Sequence, residues 1–119
     1  MLKGLLLKES LNKLSVLDTL RITKTETWSI QNATAIQPSV WTAITFEAEE
    51  SQADILTEEL SQSLKPKGWY INASTDASVY VIFPKKVFNY VKGDRELRAT
   101  AKKYGGLIDI PEKQLDWSE

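Results

Sequence analysis

From Val79 to Val91 the chain reads VYVIFPKKVFNYV, two runs dense in β-branched and aromatic residues on either side of Pro84. Such side chains suit a pleated, half-buried surface. Proline has no N–H to give to a central ladder. The stretch therefore requires a sheet, with one strand ending at Phe83. The Val87–Val91 run either extends that strand past Pro84 or starts again after a bulge there.

The neighbouring segments supply the rest of the layer. Val40 to Ala48, VWTAITFEA, alternates cleanly: Val40, Thr42, Ile44 and Phe46 point one way and Trp41, Ala43 and Thr45 the other. Ser51, with Asp54 three residues on, has the form of a capping box. Ala53, Leu56, Leu60 and Leu64 then fall on one helical face over about 52–64, and Pro66 ends the helix. GWYINA and VYVIF, joined by the polar STDAS, read as a hairpin. Asp94 after Gly93 caps a second helix with the stripe Leu97, Ala101 and Tyr104, and Gly105-Gly106 is its expected stop. In the tail, LIDI suits a short edge strand and Trp117 an anchor.

Read from Val40, this order is β-α-β-β-α-β, the ferredoxin-like split arrangement, over about residues 40–110. The expected fold class is α+β in one domain of 119 residues, with residues 1–37 as an added helix and strand. In that extension Leu7, Leu11 and Leu14 suggest a helix over 5–14, with a strand as the competing reading. Leu20, Ile22, Trp28 and Ile30 would share one face of a strand over 19–30, interrupted by Lys24 and Glu26.

Composition excludes more than it selects. With no cysteine and no histidine, disulfides, haem and iron–sulfur ligation, thiol chemistry and imidazole triads lose their usual groups. No metal and no cofactor is expected. Asp109, Glu112 and Asp116 match no calcium loop. No apolar stretch reaches the length of a signal sequence or a membrane span, so the expected location is the cytoplasm, away from membranes. Charge is segregated: Glu47 to Glu59 holds six acids and no base, while Lys85 to Lys103 holds seven bases against two acids.

Two surfaces are candidates for function. If both helices cover one face of the sheet, the other carries Trp41, Tyr70, Tyr80 and Ile82, with Asn72 at the same parity, an aromatic patch suited to a homodimer interface or a ligand site. Alternatively, the N-terminal segment covers it. The second candidate is the row Lys86, Phe88, Tyr90 and Lys92, with Arg95 beside it, where bases can stack and phosphates pair. Lysines alternating with aromatics are equally the mark of an edge strand guarded against stray pairing. Lys24 and Glu26 would become a catalytic pair only if they faced a pocket. The expected role is a non-catalytic binding domain, partnered by a second copy or another protein. Nucleic-acid or anion binding and a cofactor-independent enzyme on the open face are the alternatives.

Phe83-Pro84, Lys86-Val87-Phe88, Gly93-Asp94, Tyr104-Gly105 and Gln114-Leu115-Asp116-Trp117 together resemble a group of small uncharacterised bacterial proteins, chiefly over residues 68–117. The resemblance implies a bacterial, cytosolic setting and no activity.

Overall fold

Strand pairing decides this architecture, and it begins with the first residues of the chain. In the computed structural model, which describes residues 1–29 and 37–117, Leu2–Leu7 is a strand (β1), not the start of a helix. A helical stripe needs Leu7, Leu11 and Leu14 buried together, yet Leu14 is 52% exposed. Instead β1 uses its backbone on both sides, pairing antiparallel with Val40–Ala48 (β3) and with Ile71–Ser74 (β4). Short 3-10 turns at Lys8–Ser10 and Leu14–Thr19 lead on to Arg21–Ser29 (β2).

The sheet has the order β2-β3-β1-β4-β5-β6, where β5 is Ser78–Phe83 and β6 is Lys86–Val91. Every pairing is antiparallel. Since β3 and β4 both oppose β1, they run parallel to each other, joined through Ala53–Ser63 (α1). This is a split β-α-β unit whose inserted strand is the first of the chain. A ferredoxin-like sheet would seat β5 in that gap, so the expected topology is not the observed one, although the α+β class is. Nor does LIDI form a strand: Leu107 ends the second helix, Arg95–Leu107 (α2), and a turn follows. Residues 2–7 sit inside the sheet and are no extension to it.

Register assigns every side chain to a face. The first face carries Leu2, Leu6, Ile44, Phe46, Ile71, Ala73, Tyr80 and Ile82, packed under Ala53, Leu56 and Leu60 of α1. The second carries Val79, Val81, Phe83 and Tyr90, packed under Ala101 of α2 and the tail residues Ile110, Leu115 and Trp117. The helices thus lie on opposite faces, contrary to the expectation of a shared one. Ile71 pairs with Ile82 and Ala73 with Tyr80, which turns Val79, Val81 and Phe83 the other way.

Local chemistry accounts for the ends of these elements. Pro84-Lys85 makes a two-residue turn, with Lys85 at φ 60°, so β6 is a separate strand returning beside β5. Asp94 caps α2 as expected, its carboxylate accepting from Leu97 N–H at 3.1 Å. Ser51 does not cap α1; a 3-10 turn at Glu50–Gln52 precedes that helix and no side chain closes it. Gly105 and Gly106 do not stop α2 but lie within it, because Gly105 is the point where Leu115 and Phe83 pack onto the helix. A bulge between Ile22 and Lys24 switches parity along β2. Ile22 therefore shares the first face with Phe46, while Lys24, Glu26 and Trp28 share the second; Ile30 lies outside the described residues.

Candidate functional site

On the second face, α2 and the tail cover β5 and β6. Over β4, β1, β3 and β2 the described residues place no helix. A cleft of about 540 Å³ opens there, floored by Leu5 and Leu7 of β1, Trp41 of β3, Trp28 of β2 and Asn72 of β4. Gly68, Trp69 and Tyr70 form one wall, and the tail between Pro111 and Trp117 forms another. All four tryptophans of the chain line it.

The strand directions explain this gathering. Trp28 is near the end of β2 and Trp41 near the start of the antiparallel β3, where the two are directly paired. Trp69 enters just before β4 and packs on Trp41, ring centroids 5.4 Å apart. Tyr70 meets Trp117 at 5.6 Å. Several contacts tie the tail in place, among them a hydrogen bond from the Arg98 guanidinium to the Trp117 carbonyl at 2.7 Å. Trp117 donates its indole N–H to Tyr90 Oη at 2.8 Å, and the Arg98 guanidinium stacks 4.9 Å from the Trp117 ring centre. Gln37 and Gln114 exchange amide hydrogen bonds at 3.1 Å, and Tyr70 donates to the Gln114 carbonyl at 2.6 Å. The tryptophan anchor expected from the sequence is therefore present, and it is also a cleft wall.

Burial raises the Tyr70 hydroxyl above its usual pKa of 10.0, and the Asp116 carboxylate adds to the shift. A tyrosine whose folded-state pKa is raised holds its proton where the unfolded chain has released it. Its stabilising contribution is complete below about pH 10 and shrinks as pH climbs above that value. Unfolding free energy measured from pH 9 to 12 is expected to fall, and Tyr70→Phe to flatten the fall. An identical slope in the variant would mean that Tyr70 is not buried as described.

Of the residues singled out from sequence, Trp41 and Tyr70 come together in the cleft. Tyr80 and Ile82 do not. Both are buried on the first face beneath α1, Tyr80 with its hydroxyl 3.4 Å from Asp54 Oδ1, so no single interface can use all four. The basic row is structural where it is aromatic. Tyr90 is 3% exposed, and Phe88 is packed edge-on against Phe83 and Tyr104 at 5.8 and 5.7 Å. Lys86 lies over the Phe88 ring with Nζ 5.3 Å from its centre. Neither ring offers an open face for a base. Lys92 is half-buried in the turn after β6, and Arg95 is exposed at the start of α2. Lys24 and Glu26 form an exposed ion pair at 3.2 Å outside the cleft. Among the described residues no three acids gather at metal-binding distance.

Trp28, Trp69, Leu5 and Leu7 were not legible as site residues, whereas Asn72 shares the parity of Tyr70. The available signal was positional: three tryptophans stand at the ends or entries of strands that antiparallel pairing brings to one end of the sheet.

A scan against protein-family models finds no match, and no curated protein and no solved structure matches the chain. Among the described residues no helix is long and apolar enough to cross a membrane.

Proposed function

We propose that this chain is a binding module whose ligand is an uncharged, largely apolar molecule held in the tryptophan-lined cleft. The observation that carries the reading is the convergence of all four tryptophans, from three strand ends and the tail, on one open concavity. Its volume lies within the roughly 300–1,000 Å³ of small-molecule sites, and its lining has their character, apolar walls with a few polar groups. The charged residues that line it, Lys113 and Asp116, are exposed and of opposite sign, so no net field selects an ion. A cysteine-free sequence supports a cytoplasmic setting, and the motif resemblance a bacterial one.

The test is a proton–nitrogen correlation spectrum of the protein titrated with a panel of uncharged heteroaromatic fragments. Four indole N–H signals report on the cleft directly. Fragment binding is expected to move the Trp28 and Trp69 signals first, with little dependence on salt. Shifts confined to α2 or to β6 would place binding away from the cleft and overturn this reading.

A further inference from the structure

The class of occupant can be read from the hydrogen-bonding groups the cleft has used and those it has left over; this step rests on the cleft being a binding site. Three carbonyls at or beside the cleft are already engaged by the chain itself. Gly68 O accepts from Gln37 Nε2 at 2.6 Å, Pro38 O from Trp41 Nε1 at 2.7 Å, and Gln114 O from the Tyr70 hydroxyl. Its donors are less fully used. The indoles of Trp41 and Trp117 have partners, but those of Trp28 and Trp69 donate to nothing among the described residues. Trp69 is only 4% exposed, and a buried indole N–H ordinarily finds an acceptor. Two indole donors are therefore left over, and an occupant should bring acceptors to meet them.

Shape adds a second constraint. The cleft crosses β2, β3, β1 and β4 in turn, three interstrand spacings or about 14 Å. Its floor is made of leucine, tryptophan and Asn72 side chains without charge, while Lys113 and Asp116 stand on the tail wall.

We propose that the occupant is an extended, proline-rich peptide segment. A proline residue has no N–H, so such a backbone presents acceptors without donors. Its rings offer apolar surface to aromatic walls, and its polyproline II form is already ordered before binding. At about 3.1 Å per residue, four to five residues span the cleft. An oligosaccharide has the opposite inventory. Each of its hydroxyls donates as well as accepts, and on the floor only Asn72 offers a side-chain acceptor.

The experiment titrates the full chain with a blocked ten-residue polyproline peptide, following tryptophan fluorescence and the indole N–H signals. A Gly/Ser peptide of equal length and a cello-oligosaccharide serve as comparisons. Saturable binding of the polyproline peptide alone is expected, with Trp28→Ala weakening it at least tenfold. Trp69→Phe keeps an aromatic ring while removing the N–H, and is expected to weaken it about fivefold or more, with circular dichroism and melting temperature confirming the fold. Peptide binding that survives both substitutions would place the peptide elsewhere and overturn the proposal. If the neutral fragments bind but the peptide does not, or the oligosaccharide moves the same indoles instead, the peptide assignment is wrong and the cleft stands. If neither fragments nor peptide bind, both readings fall.

Discussion

Phe83→Ala is expected to remove about 4 kcal/mol of folding stability, near the middle of the range for truncating a buried aromatic. Phe83 is 0% exposed and is the hub of the second core, its ring within 5.9 Å of Tyr70, 5.8 Å of Phe88 and 5.0 Å of Tyr104. The close approach of Gly105 and Leu115 leaves little freedom for neighbours to fill the void. Its carbonyl also accepts from Ser61 Oγ at 2.6 Å, so a collapse around residue 83 would disturb the docking of α1 as well. The measurement is chemical denaturation, read as a lower midpoint at unchanged slope. Because Tyr70 leans on Phe83, the variant should also weaken cleft binding. A loss below about 1 kcal/mol would contradict the second core as described here, since Phe→Ala in a packed core typically costs several times that.

The second large effect comes from adding atoms. Gly4 lies in β1 between Phe46 of β3 and Ala73 of β4, all on the first face. A Cβ there would fall 2.4 Å from Phe46 Cζ and 2.8 Å from Ala73 Cβ. Ala73 cannot yield without moving its strand, and Phe46 is 0% exposed. Gly4→Val is therefore expected to cost about 3 kcal/mol, at the upper end for overpacking, despite the better strand propensity of valine. The specific signature is a coupled pair. In a Gly4→Ala background, Phe46→Leu should restore part of the lost stability, whereas in the native background it should only destabilise. Additive losses would show that the two residues do not meet. Gly106→Ala is the contrasting control: nothing lies within 4 Å of the added atom, and an alanine in the last turn of α2 should be neutral to stabilising, by at most roughly 1 kcal/mol.

The strands β2, β3, β4 and β5 and both helices were legible from their periodicity, whereas β6 was left open and LIDI was misread as a strand. What failed was assembly. VYVIF is apolar at both parities, which is how a strand buried on two faces reads, yet choosing a single inward parity placed both helices on one side. LKGLLL is too short for its period to separate strand from helix, and what decides it is pairing with β3 and β4, which comes from far along the chain. The bulge at Thr23 left no composition signal, so Ile22 and Trp28 were read onto one face. The cleft was half legible. Trp41, Tyr70 and Asn72 were found by alternation, while Trp28 and Trp69 belong to it through the strand order and Trp117 through the course of the tail.

The place of β1 also bears on the route by which the sheet is completed. The β5–β6 hairpin closes over two residues and can form early, but Leu2 must find Ala48 and Lys3 must find Ser74 across long stretches of chain. Until it does, β2-β3 and β4-β5-β6 are separate half-sheets, each ending in an unsatisfied edge that the other cannot cap. Docking of the leucine-rich strand is expected to be a late event that joins the halves. A chain delayed before that step would carry two sticky edges and a loose apolar strand, the combination that seeds strand exchange between molecules.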